Sequence, residues 1–246
     1  MLIAHRGIHN NIDVPENSLS AFENALNLNL PIELDIRLTK DLELVVFHDG
    51  NAKRMTGIDV NIEELTIEQI SSLNLLNTNE HIPLLQDVLS LIDGQVLIDI
   101  EVKETKKIKE ITDKLISTLK HYNGNVVIKS FSPKIIKHLK NIDNSYTYGL
   151  LMKQKYKNKI KELFMKSNLA LSYCNPSFLA ISKKLAKTNR FQKLRKIYDI
   201  YIWTFQSPDE IENYKQYGDY YICNNLPYEK QTKIKWFAFY FFWNIF

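Results

Sequence analysis

Only two cysteines, seven glycines and seven prolines punctuate these 246 residues. Cys174 and Cys223 are too few for a disulfide framework, which points to a reducing, cytoplasmic compartment. The glycines and prolines gather into no linker, and no repeat or low-complexity tract divides the chain. It therefore reads as one domain over residues 1–228 followed by a tail over 229–246. Long apolar runs are missing as well. The most apolar stretch, Trp236–Phe246, has eight aromatics in eleven residues. As a helix it would span roughly 17 Å, short of the roughly 30 Å of a hydrocarbon core, so it cannot be a transmembrane helix alone. An apolar strand that begins at Leu2 and a candidate catalytic residue at His5 leave no room for a signal peptide.

What is present suits a globular enzyme. A content of 45% hydrophobic and 24% charged residues can bury a full core. The net charge of +4 hides an asymmetry. Between Leu151 and Ile200 eleven Lys and two Arg face only Glu162 and Asp199. The plain reading is a solvated helical face, and the functional one is attraction of anionic lipid headgroups or an anionic polymer. The aromatic tail follows Lys230, Lys233 and Lys235. It fits either a membrane-interface anchor, with a peripheral place at the inner face of the membrane, or a cover packed on the barrel or on a partner subunit.

Apolar and β-branched runs recur at Leu2–His5, Ile32–Ile36, Val96–Glu101, Val126–Ser130, Tyr146–Leu151, Leu169–Tyr173, Tyr198–Thr204 and Asp219–Cys223. Stretches with helical spacing lie between them, among them Asn17–Leu28, Thr105–Leu119, Pro133–Leu139, Lys159–Lys166 and Pro208–Tyr217. Eight strands alternating with helices predict an α/β fold, a (β/α)₈ TIM barrel. The extra run Glu43–Phe47 reads as the second arm of a hairpin, and residues from Gly50 to about Leu85 as a small lobe inserted after the second strand.

Chemistry-bearing residues stand at the ends of these runs. Glu33 and Asp35 alternate in Ile32–Ile36, so they share one face of a strand while Leu34 and Ile36 take the other. Two carboxylates pressed together repel, and a cation usually holds them together. A hairpin through Thr39–Leu42 brings them opposite the neighbourhood of His48. His5, Glu101, Ser130 and Trp203 also fall at strand ends, where barrel enzymes build their sites. Three acids form a hard-oxygen site for a divalent ion, Ca²⁺ or Mg²⁺. Two imidazoles suit proton transfer near neutral pH. Singly, each has a structural explanation: Glu33 and Asp35 as partners of Arg37 or Lys40, Asp99 as a core acceptor, Lys103 as the ion-pair partner of Glu101, Trp203 as core, Asn17 as a helix N-cap. His9, His81, His121 and His138 lack comparable context and read as surface or structural.

The ordered blocks AHRG from Ala4, PENSLSAF from Pro15, IELDIRLTKD from Ile32, VVFHDGNAKRMTG from Val45, IPLLQDVL from Ile82, IDIEVK from Ile98, IKSF from Ile128, YIWT from Tyr201 and CNNLPY from Cys223 resemble the glycerophosphodiester phosphodiesterase family. The resemblance implies His5 and His48 as general acid and base, and Glu33, Asp35 and Glu101 as metal ligands. It also implies Arg6 and Lys103 on the phosphate, with Asn17 near the substrate, and Trp203 is a secondary candidate for the pocket wall. Departures fall at Leu42, Gln206 and Asn224–Asn225, where the family usually has Gly, Asn and Thr-Asp; they replace no metal ligand or catalytic histidine and bear on the alcohol pocket. The implied activity is metal-dependent hydrolysis of a small-molecule or lipid phosphodiester to glycerol 3-phosphate and an alcohol, with no nucleic-acid partner. Alternatives are a lysophospholipase D-like enzyme, a phosphodiesterase of a glycerol-phosphate polymer, and a barrel that binds a phosphodiester without cleaving it.

Overall fold

The computed structural model describes residues 1–227. The tail reading, residues 229–246, lies outside the described residues. Eight parallel strands close into a ring: β1 (Leu2–His5), β2 (Ile32–Leu38), β4 (Ile98–Val102), β5 (Val126–Ser130), β6 (Thr147–Met152), β7 (Phe178–Ser182), β8 (Asp199–Phe205) and β9 (Tyr220–Cys223). Pairing of β1 with both β2 and β9 closes it. The connecting helices pack outside: α1 (Leu19–Asn27), α4 (Leu85–Ile92), α5 (Ile108–Leu119), α6 (Pro133–Ile142), α7 (Lys159–Lys166), α8 (Asn168–Cys174), α9 (Lys183–Ala186) and α10 (Asn189–Leu194). A 3₁₀ turn, Pro208–Tyr214, occupies the place of the helix expected over Pro208–Tyr217.

Beyond the ring, β3 (Leu44–Val46) folds back antiparallel on β2, with Ile36 opposite Val46 and Leu38 opposite Leu44. Leu42 takes a left-handed backbone, φ 66°, inside this reversal. The inserted lobe follows, with α2 (Lys53–Thr56) and α3 (Ile67–Ser71) around a small core of Val45, Phe47, Met55, Ile62, Ile70 and Ile82.

Side-chain parity sorts each strand. Leu34, Ile36, Ile98, Ile100 and Ile128 face outward into the main core against the helices. Ile3, Val127, Phe178, Tyr201 and Ile222 fill the amino-terminal half of the lumen, where the Tyr201 ring stacks on Tyr220 at 4.1 Å. One step further along the same faces stand His5, Lys129 and Trp203. The lumen is thus an apolar plug with a polar top, at the strand ends where barrels carry their sites.

One expected strand is a helix. Leu169–Tyr173 lies in α8, capped by Ser167, whose hydroxyl accepts from the Leu169 amide. Ala170, Leu171 and Cys174 are buried while Leu169 is exposed, a spacing that fits a helical face better than alternation. The strand is Phe178–Ser182, two residues beyond Pro176, with Phe178–Ile181 buried on both faces. Both cysteines are free and buried. Among the described residues no helix is long and apolar enough to cross a membrane.

Candidate active site

Glu33 and Asp35 rise from β2 and Glu101 from β4, and the register pairs Asp35 directly with Glu101. One carboxylate oxygen from each of the three lies within 4.8 Å of the others, and all three residues are buried. Three anions in low dielectric repel strongly, so cations must hold them. Lys103 does so from the end of β4, its Nζ 2.6 Å from Asp35 Oδ1 and 2.5 Å from Glu101 Oε1. Burial alone would push the Asp35 carboxyl up, but Lys103 and then Arg6 outweigh it and hold it well below the usual range. The donor set of three converging carboxylates fits a hard divalent ion.

A second lysine works underneath. Lys129, fully buried in β5, places Nζ 2.6 Å from Asp99 Oδ2 and 3.1 Å from Glu33 Oε1. Burial opposes its charge, yet Asp99 and Glu33 together keep it protonated. Asp99 is pushed up by burial, since it shares one ammonium with Glu33. It is therefore a core acceptor for Lys129, whose ammonium also reaches Glu33.

The turn after β1 supplies the third cation. Arg6 takes φ 57° and Gly7 φ 79°, and a Cβ on Gly7 would stand 2.6 Å from the Ala21 carbonyl oxygen. Only glycine fits there. The crowded turn directs the Arg6 guanidinium to Glu16 at 2.6 Å and to Asp35 at 3.2 Å, while the Arg6 amide donates to Glu33 at 3.3 Å. Asn17 is not the helix cap, a role taken by Ser18. With φ 58° it turns inward and donates its Nδ2 hydrogen to Asp35 Oδ2 at 3.0 Å.

The two histidines have different partners. His5 Nδ1 lies 2.5 Å from Asn224 Oδ1, and the Asn224 amide nitrogen donates to Gln206 at 3.4 Å. That chain places the imidazole proton on Nδ1 and turns Nε2 towards Glu33, 3.9 Å away. Burial, then Arg6, lowers His5 to about 4, so it is neutral at pH 7. His48 follows β3. The Arg37 guanidinium holds its carbonyl at 2.8 Å, and its Nδ1 meets Asp49 Oδ1 at 2.6 Å. Arg54 of the inserted lobe joins Asp49 to Glu16 and so locks the His48 turn against the β1 turn.

Two depressions flank the acids. His48, Glu101, Lys103 and Phe131 line a cleft of about 690 Å³. His5, Arg6, His9 and Asn224 line a smaller recess of about 290 Å³. Trp203 sets its ring edge-on to Phe131 at 5.6 Å, beside the larger cleft. Sequence reasoning missed Lys129, Arg54 and Phe131 as members of the site, named Asn224 only as a departure bearing on the alcohol pocket, and read His9 as surface or structural. Lys129 and Phe131 stand inside a recognised block, IKSF, whereas nothing local marks Arg54.

Residues 5–225 match the model of the glycerophosphoryl diester phosphodiesterase family. The chain belongs to that family. Among relatives, a glycerophosphodiester phosphodiesterase of Caldanaerobacter subterraneus is 37% identical over 162 residues, covering 61% of this chain and 66% of the relative. Lysophospholipase D GDPD1 of Homo sapiens is 33% identical over 136 residues, covering 49% of this chain and 41% of that protein. The chain thus spans between two fifths and just under two thirds of these relatives' length. A phosphodiesterase of Oleispira antarctica, solved in complex with its product sn-glycerol 3-phosphate, superposes with a TM-score of 0.78 at 19% identity, covering 91% of this chain and 92% of that one. The glycerophosphodiester phosphodiesterase of Thermotoga maritima gives a TM-score of 0.70 at 24% identity, covering 90% and 93%. These likenesses agree with the barrel described above.

The Glu16 cluster yields a pH prediction. Burial would push this carboxyl up, but its hydrogen bonds with Arg54 and the charge of Arg6 hold it at about 2, against 4.5 when free. A depressed acid contributes stability that is complete above pH 4.5 and is lost as pH falls through 2. Arg54 is half-exposed, so screening reduces the contribution to roughly 2 kcal/mol. Urea unfolding at pH 5 and pH 2 should show wild type losing about that much more than Glu16→Gln. Equal losses would show that this ion pair contributes nothing.

Proposed function

We propose that this protein hydrolyses a glycerophosphodiester to glycerol 3-phosphate and an alcohol, using a divalent ion, Ca²⁺ or Mg²⁺, held by Glu33, Asp35 and Glu101. The observation that carries the reading is the convergence of three buried acids between two oriented imidazoles. A bound ion would supply a Lewis acid for a phosphoryl oxygen. Arg6 and Lys103 lie at the same acids and add positive charge for a phosphate entering from the cleft. His5, neutral with Nε2 free, accepts the proton of the attacking group, which is water or the glycerol 2-hydroxyl; the second forms a cyclic phosphate that a water must then open to give glycerol 3-phosphate. His48 donates a proton to the alkoxide as its bond to phosphorus breaks, and Asp49 orients the ring. The polar recess beside His5 suits a glycerol moiety, and the larger cleft lined by Phe131, which Trp203 backs edge-on, suits the leaving alcohol. Asn17 acts on the substrate indirectly, through Asp35. A cytoplasmic location belongs to the same reading.

A second reading has its own support. The human relative is named lysophospholipase D, and Phe131 lends the cleft an apolar ring, so a lysophospholipid is the first alternative substrate. A panel of glycerophosphocholine, glycerophosphoethanolamine and lysophosphatidylcholine, assayed with Ca²⁺, Mg²⁺ or EDTA, tests both. Release of glycerol 3-phosphate from the first two, abolished by EDTA, is the expected result. Release of choline from the lysolipid alone would favour the second reading, and no turnover with either ion would leave a non-catalytic binding barrel.

A further inference from the structure

The Lys-rich stretch noted in the sequence gains a location from the fold. It runs from the carboxyl end of β6 through α7 and so begins on the same face of the barrel as the site. Residues 153–166 carry six lysines against Glu162 alone. Lys161 pairs with Glu104, which lines the larger cleft, and Lys153 stands 5.1 Å over the ring of Phe131 in the wall of that cleft. These contacts fix the segment to the cleft rim. Lys155, Lys157 and Lys159 are exposed and make no ion pair among the described residues.

Beside these lysines α7 shows apolar side chains to solvent. Met165 turns into the core and Phe164 packs edge-on to Tyr173, which accounts for one side of the helix. On the other side Ile160 is 80% and Leu163 74% exposed, three residues apart and therefore neighbours on the helix surface. Exposed apolar residues scattered singly need no explanation, but a neighbouring pair ringed by unpaired lysines does. Charge decides between occupants. The sequence beyond 227 carries Lys230, Lys233 and Lys235 against Glu229 alone, and a second copy packed through this same patch would bring the same lysines, so either would meet like charge. A polyanion in water would satisfy the lysines and leave Ile160 and Leu163 unexplained. A bilayer with anionic headgroups satisfies both sets, since lysines meet phosphates while apolar side chains enter the acyl boundary.

We propose that the rim formed by residues 153–166 docks this protein on an anionic lipid surface, Ile160 and Leu163 inserting and Lys155, Lys157 and Lys159 pairing with headgroups, so that the cleft opens towards the membrane. Docking is independent of the reaction assigned above, because it is read as binding. The full chain is sedimented with vesicles of phosphatidylcholine alone or with 30% phosphatidylglycerol (about one lipid in three, to set the surface charge). Binding to the mixed vesicles only, weakened by salt, is expected. The double variant Ile160→Ser/Leu163→Ser and the triple variant Lys155→Glu/Lys157→Glu/Lys159→Glu should each weaken it at least tenfold, with thermal stability and turnover of soluble glycerophosphocholine unchanged. Undiminished binding by the double variant would overturn the proposal, leaving a polyanion surface if the triple variant alone loses affinity. A drop in melting temperature of the serine variant would overturn it too, since Ile160 and Leu163 would then be covered by the chain itself or by a second copy.

Discussion

Glu101→Gln is expected to lower turnover of glycerophosphodiesters by about 10³-fold, the scale seen when a preorganised electrostatic stabiliser is removed. Of the three acids it gives the cleanest test. Asp35 is bound by Lys103, Arg6 and Asn17, and Glu33 by Lys129 and the Arg6 amide, so neutralising either takes one of two anionic partners from a buried cation and disturbs several contacts at once. Glu101 contacts Lys103 alone among these cations and borders the cleft. Its amide replacement keeps the shape, and Lys103 keeps Asp35. The fold should therefore survive while the donor set falls from three carboxylates to two. Titration of activity with Mg²⁺ or Ca²⁺ should show the midpoint moving to higher ion concentration along with the fall in maximal rate. Unchanged turnover with an unchanged ion titration would remove Glu101 from any metal role.

The sequence made the inward faces legible because strand parity is a local rule. Glu33, Asp35, Glu101 and Lys103 could be placed on lumen faces from alternation with Leu34, Ile36, Ile100 and Val102, and β2 and β4 bear this out in register. The hairpin was legible for the same reason, since a short polar reversal between two apolar runs has few solutions. Phe178–Ser182 was not. A strand buried on both faces shows no alternation, and the neighbouring Leu169–Tyr173 offered a run of similar length whose helical spacing emerges only beside the Ser167 cap.

What escaped local reading is partnership across the ring. Lys129 serves Glu33 from a strand nearly a hundred residues away, Asn224 orients His5 from the far end of the chain, and Arg54 ties Asp49 to Glu16. The first two pairs have no spacing to recognise, because only the order of strands around the barrel makes them neighbours, and Arg54 meets Glu16 only because the inserted lobe folds back over the β1 turn. Asn17 shows the converse. Its residue type suits a helix cap, yet the preceding turn leaves it in a left-handed backbone, one position early, where its amide reaches Asp35 instead.

His48→Ala and His5→Ala should each reduce kcat by about 10² to 10⁴-fold, the usual weight of a positioned proton donor or acceptor. Their side effects should differ. His48 is about a third exposed and its Asp49 partner keeps Arg54, so the melting temperature should hold. His5 is partly buried and bonded to Asn224, so its loss should cost about 1 kcal/mol of stability in addition. The substrate separates the two roles. A glycerophosphodiester whose leaving group is 4-nitrophenol departs as a stable phenolate and needs no protonation. With it, His48→Ala should recover most of its lost rate if His48 is the acid, whereas His5→Ala should remain slow because the nucleophile still has to lose its proton. Rescue of His5→Ala instead would reverse the assignment. If neither variant is rescued, or if both keep full activity on the natural diester, proton transfer by this pair is not what drives cleavage, and the oriented imidazoles would be ligands of the site rather than its acid and base.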